Sequence, residues 1–200
     1  VGGGAPEWPR VAAKLRAGGV VREVRVIAGA LMQREAWREV TIAGLAVVAA
    51  GKLQTSAFDV AIEDGTAGIR LFSRTLRPDV KEGDSVVATG AIKSYRGTTE
   101  LASTNIRIVP GPRRVIPPHP LSFDPPALAQ HVGQLVQAHG RVTSFGHSEG
   151  GQWLRLSDLS STGQGSLTVW VPANHGAPID LTAVRSQDSL MVTGIVTSYQ

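Results

Sequence analysis

The side chains of this chain best suited to gripping a ligand are aromatic and cationic, and they fall in two sets. Arg70, Phe72, Lys93, Tyr95 and Arg96 lie in the N-terminal half, and Trp153, Arg155 and Trp170 in the C-terminal half. Rings beside cations are the chemistry of stacking on bases and holding phosphates. Other chemistry is poorly provided for. The chain has no cysteine, which excludes disulfides, thiolate metal sites and thiol nucleophiles. His119, His131, His139, His147 and His175 form no H-x-x-x-H pair and have no acidic partner at metal-ligand spacing. Asp64, Asp84, Asp158 and Asp188 recur as two equivalent pairs, but no second carboxylate recurs beside them for acid–base work. They read as turn-capping aspartates. No G-x-S-x-G elbow occurs, and residues 160–166 (SSTGQGS) lack the lysine and following helix of a phosphate cradle. The expectation is a chain that is not an enzyme and takes no cofactor and no metal.

The elements that must position these residues are short strands and turns. Residues 58–72 (FDVAIEDGTAGIRLF) alternate with the period of two of a half-buried strand. Asp64 and Gly65 supply the turn, since aspartate bonds its own backbone and glycine accepts positive φ. With a loop over 64–67, Glu63 stands opposite Gly68, and Val60, Ile62, Ile69 and Leu71 share an oily face. The opposite face then shows Asp59, Ala61, Glu63, Arg70 and Phe72, where two carboxylates repel phosphate. A register slip of one residue exchanges the two faces.

Net charge is +4 over 200 residues. It divides into +3 for residues 1–39, +1 for 40–110, +1 for 111–126 and −1 for 127–200. The basic excess therefore sits in the leader, and neither folded half carries the clustered Lys and Arg of a phosphate-backbone binder. A hydrophobic content of 42% suits a packed core, and 23 glycines with 12 prolines suit many strands joined by turns. No apolar run is long enough to cross a membrane as a helix. The chain opens at Val1 rather than Met, which is consistent with a longer parent chain or a removed leader.

In chain order, residues 1–39 read as a leader, with a short helical turn at 10–17, a strand at 20–28, and a short helix or turn at 29–39 carrying Trp37. Five strands follow over 40–110, with glycine bends and the turn at Gly83 and Asp84, and they predict a small closed barrel. Seven of the twelve prolines fall in 110–126, a stiff linker. A short helix at 127–132 leads into a second copy of the barrel over 127–200. There GRVTSF at Gly140 answers GLAVVA at Gly44, and WLRLSD ending at Asp158 answers VAIED ending at Asp64. QDSLMVTGIVTSY answers GDSVVATGAIKSY, so Asp188 and Gly194 stand where Asp84 and Gly90 stand. The second copy lacks the last strand. The bare edge is met by truncation or an open sheet, or by residues 20–28 acting as donor.

The pairing of FDVAIEDGTAGIRLF with EGDSVVATGAIKSYRGTTEL resembles the OB-fold modules of bacterial extracytoplasmic proteins, and tandem copies with a proline-rich joint are similar to sensor ectodomains. The likeness is good over 40–110 and poorer over 133–199. It implies an all-β chain of two five-stranded OB-like barrels, located outside the cytoplasm (periplasm or cell surface). The function expected on this basis is a non-catalytic module that binds another protein or further copies of itself. The alternative is single-stranded nucleic-acid binding, which the near-neutral halves and the carboxylates of the first hairpin disfavour.

Overall fold

The computed structural model describes residues 13–17, 20–24, 39–95, 98–159, 165–177 and 179–198. β1 (Ala13–Ala17) and β2 (Val20–Val24) pair antiparallel as a two-stranded sheet. The helical turn expected over 10–17 is thus a strand where it is described, because Leu15 opposite Arg22 extends a ladder that starts at Ala17 and Val20. The expected helix at 29–39 lies outside the described residues, apart from Glu39.

The next five strands are β3 (Val40–Ala46), β4 (Phe58–Glu63), β5 (Gly68–Ser73), β6 (Ser85–Tyr95) and β7 (Thr98–Val109). They close in the order β3-β4-β5-β7-β6, with β5 and β7 parallel and every other pair antiparallel. That is the five-stranded Greek-key closure of an OB barrel. Glu63 pairs with Gly68 in the hairpin, so Val60, Ile62, Ile69 and Leu71 all point into the barrel, where they are buried. Asp64 closes the turn by accepting hydrogen bonds from the amides of Thr66 (2.9 Å) and Ala67 (3.1 Å), and Gly65 there has φ +87°.

After the barrel come β8 (His119–Pro120), the helix α1 (Pro125–Gln130), β9 (Leu135–Ser148), β10 (Gly151–Asp158), β11 (Ser166–Pro172) and β12 (Ser189–Ile195). α1 starts where Pro125 and Pro126 fix the first turn and Asp124 accepts from the Ala127 amide. β11-β10-β9-β12 form an open sheet, and β8 adds a fifth, parallel strand along the start of β9. The core of this sheet gathers Leu121, Phe123, Val136, Val142 and Leu156.

The repeat is preserved in the hydrogen bonding. In the first barrel the Ala46 amide donates to the Asp84 carbonyl (2.9 Å) and the Gly83 amide to the Ala46 carbonyl (2.7 Å). In the second sheet Val142, Asp188 and Gln187 make the same pair of bonds at 2.8 Å each. The carboxylates of Asp84 and Asp188 each accept a backbone amide three residues upstream, from Lys81 and Arg185, at 2.8 Å. Arg113 Nε also donates to Asp84 (2.8 Å), and chiefly through that bond its carboxyl is held below the usual aspartate range.

Gly83 has φ +82°, and Gln187 in the same place has φ +76°. A side chain in that region costs about 1–2 kcal/mol, partly offset by the extra unfolded-state freedom of glycine. Gln187→Gly is therefore expected to stabilise the chain by about 0.5–1 kcal/mol in denaturant unfolding.

The two copies differ at their fourth strands. β6 pairs with β7 along its whole length, with a bulge at Thr89/Gly90, and a Cβ on Gly90 would lie 2.2 Å from the Ala102 carbonyl oxygen. A Cβ on Gly194 would meet nothing within 4 Å, because among the described residues β12 pairs in the sheet only with β9. Residues 20–24 do not supply the missing strand; they pair with Ala13–Ala17. Gly90→Ala is expected to cost about 1–3 kcal/mol through the forced backbone shift. Gly194→Ala should stay within about 0.5 kcal/mol, as at an open surface position. Equal losses at both sites would show that the β12 edge is covered.

Candidate nucleic-acid interface

The outer face of the second sheet is built by strand alternation. Leu154 and Leu156 of β10 point into the core, so Trp153, Arg155 and Ser157 point out. β11 pairs with β10 so that Trp170 stands opposite Trp153, Thr168 opposite Arg155 and Ser166 opposite Ser157. On the other side of β10, Gly146 faces Trp153 and Ser144 faces Arg155. A bulge follows, in which Thr143 is the extra residue and its hydroxyl donates to the Arg155 carbonyl (3.1 Å). Beyond it Arg141 faces Ser157, and on β12 Ser189, Met191 and Thr193 face Arg141, His139 and Gln137. None of these outward positions is acidic.

The indoles are held in place by the absence of side chains beneath them. A Cβ on Gly146 would lie 2.7 Å from Trp153 Cζ2 and 2.8 Å from Cε2, so the ring lies directly against the β9 backbone. Trp170 reaches instead toward the β9–β10 turn, with Cζ2 3.4 Å from where a Cβ of Gly150 would stand. The two rings lean in different directions, leaving Trp153 half-buried and Trp170 48% exposed. Met191, far along the same face in the row of His139 on β9, is 67% exposed.

The first set of candidate residues has a different fate. Its hairpin has the expected register, but Asp59, Ala61 and Glu63 on the outward side of β4 are all buried. Ala61 packs with Val47 and with Leu135, and Ile116 and Ile195 close over them. Glu63, 1% exposed, accepts the Leu135 amide and pairs with His119 Nε2 at 3.2 Å. Gly68 and Gly133 meet backbone to backbone, each with space for no Cβ against the other's carbonyl. The second sheet and the linker therefore cover the face on which a single OB barrel would be read.

Arg70 is spent on structure. It pairs with Asp59 through both Nε (3.0 Å) and Nη2, and Gln54 holds the same carboxylate at 2.7 Å. Burial opposes its charge, but Asp59 and then Glu100 outweigh that and push its pKa up. Glu100, opposite Lys93 on the neighbouring strand, is itself raised by burial against the pull of Arg70. Phe72 is half-buried opposite Asp59, Lys93 and Tyr95 are exposed, and Arg96 lies outside the described residues.

The structure thus brings Trp153, Arg155 and Trp170 together on one face and sets Arg70, Phe72, Lys93 and Tyr95 on the other barrel. Sequence reasoning missed Arg141, Gly146 and Met191. Ser144 stands three positions after Arg141, an odd interval that puts them on opposite faces of a straight strand; the bulge at Thr143 restores them to one. Asp64, Asp84 and Asp188 bond turn amides, and Gly90 and Gly194 sit at equivalent bends, one packed and one open. Asp158 ends β10, with its amide 3.4 Å from the Gly165 carbonyl. Among the described residues no group of three or more His, Asp or Glu is placed to hold a metal ion. No helix among them is long and apolar enough to cross a membrane.

No protein family and no curated protein matches the chain. Solved structures do. A murine DNA-binding protein bound with double-stranded DNA matches at 12% identity and TM-score 0.39, over 74% of this chain and 83% of that one. Fission yeast Pot1 with single-stranded DNA matches at 14% and 0.34, over 89% and 80%. A deletion mutant of the single-stranded DNA-binding protein from Thermus aquaticus matches at 14% and 0.28, over 80% and 85%. All three are DNA-binding proteins. That finding corrects the expectation of a non-catalytic protein-binding or assembly module, for which no such neighbour was found among them.

Proposed function

We propose that the chain binds single-stranded nucleic acid on the outer face of its second sheet, without catalysis. The observation that carries this reading is the cross-strand pair Trp153–Trp170 beside Arg155, on strand rows that contain no carboxylate. In an OB fold the second and third strands form the usual ligand face, and β10 and β11 are those strands of the second copy. Exposed indoles accept bases of any sequence by stacking, and arginines hold the intervening phosphates. The near-neutral charge of each half, which argued against this reading, averages over a sheet face whose strand rows contain no acidic residue. The reading does not depend on the compartment.

A fluorescence titration with an oligonucleotide at several salt concentrations tests it. Two arginines, Arg141 and Arg155, lie on the face. Two neutralised phosphates on a single strand predict a slope of log affinity against log salt of about −1.4. Indole quenching with that shallow slope supports the face as drawn. A slope several times steeper, or one unchanged by Arg155→Ala, places the contacts on the basic leader instead.

A further inference from the structure

The second sheet ends in two edge strands, β11 and β12, and these answer the strands that β7 joins to close the first barrel. There β7 runs parallel to β5 and antiparallel to β6, and its fully buried Leu101 pairs with Leu71 and Ile92. The spacings of the repeat set Leu167, Val169, Leu190 and Val192 in the places of Ile69, Leu71, Val86 and Ala88. The four in the first barrel are buried, whereas the four in the second sheet are only partly buried against their core. An open edge is ordinarily blunted by a charge, a bulge or a proline. Among β11 and β12 no residue is charged, both keep an unbroken register with their neighbours, and the one proline, Pro172, stands at the end of β11.

The geometry points to a strand-acceptor site: an extended peptide segment of another protein inserts between β12 and β11, antiparallel to the first and parallel to the second, as β7 does in the first barrel. Among the described residues, another molecule of this chain has no strand to offer. Its β7 is closed between β5 and β6, its β1 is paired with β2, and its β12 would cover one edge and leave the other bare. The chemistry of the occupant follows from the side chains it meets. In the first barrel Glu100 of β7 stands beside Arg70 and Lys93. Thr168 and Thr197 hold those two places in the second half. The segment therefore carries inward apolar side chains, as β7 does at Leu101, Ile106 and Ile108, and is uncharged where β7 has Glu100. The site uses strand edges rather than the outer face, so it does not rest on the single-strand reading.

The probe is a labelled peptide of residues 98–109 carrying Glu100→Thr, titrated with the intact chain by anisotropy. One peptide should bind per chain and slow the amide exchange of β11 and β12. It should bind at least about tenfold more tightly than the peptide that keeps Glu100, whose carboxylate is buried without a cation. Gly194→Ala should abolish peptide binding, because a Cβ on Gly90, in the same place, would run into the Ala102 carbonyl oxygen of the closing strand. The same variant should keep its thermal melt and its oligonucleotide affinity, since a Cβ on Gly194 meets nothing within 4 Å in the chain alone. No saturable binding, equal affinity of the two peptides, or binding that survives Gly194→Ala overturns the acceptor site. A dimer of the chain alone that excludes the peptide overturns it too, and makes another molecule of this chain the occupant.

Discussion

Replacing Trp153 and Trp170 together by alanine is expected to weaken oligonucleotide binding by at least about 30-fold, since each base stacked on an aromatic ring contributes about 1–3 kcal/mol. The two positions are cross-strand neighbours, so the double variant need not equal the sum of the single ones. The fold should survive, because Trp170 is half exposed and the buried side of the ribbon is carried by Leu154 and Leu156. Anisotropy titration of the double variant at fixed salt, with a thermal melt beside it, measures both quantities. Arg70→Ala supplies the contrast. Its guanidinium is committed to Asp59, so the change should lower stability and leave binding untouched. If Arg70→Ala abolishes binding while the double tryptophan variant binds normally, the interface lies on the first barrel.

Glu63→Ala is expected to lower stability by about 3 kcal/mol in denaturant unfolding. The carboxylate is fully buried between the two halves and accepts the Leu135 amide as well as His119. Leaving a buried amide unpaired costs about 1–3 kcal/mol, and the cavity left by the lost side chain adds to that. Glu63→Gln keeps an acceptor for the amide and should recover part of the loss. The same lesion should loosen the second sheet from the first barrel at Ala61, Leu135 and Ile195. Earlier proteolysis after Pro-rich residues 110–120 would report it. An unchanged melting curve for Glu63→Ala would mean that the two halves are held by other contacts.

Those contacts exist at a second place, which sets the scale of the expected loosening. The Gly176 amide donates to the Lys52 carbonyl (3.0 Å), and the Thr55 amide to the Asn174 carbonyl (2.9 Å). Asn174 also donates through its side chain to Ser56 (2.7 Å). The loop after β3 is thus tied to the loop after β11, and the two halves meet at two separate patches rather than through the linker alone.

What the amino-acid order determined by itself is everything set within a few residues of its cause. Alternation of apolar residues defined the hairpin face of Val60 and Ile62, Asp64 and Gly65 defined its turn, and equal spacings around Gly90 and Gly194 defined the duplication. Only the tertiary structure decided which faces meet water. The carboxylate face of β4 read as the surface of an OB barrel, yet it is buried by Leu135 and Ile195, residues that follow it by more than seventy positions. Conversely, Trp153, Trp170 and Arg141 belong to segments whose outward sides coincide only through the β10–β11 register and the extra residue at Thr143. Side-chain periodicity is a local property, whereas burial depends on which distant surface arrives, and no pattern along one strand records that arrival.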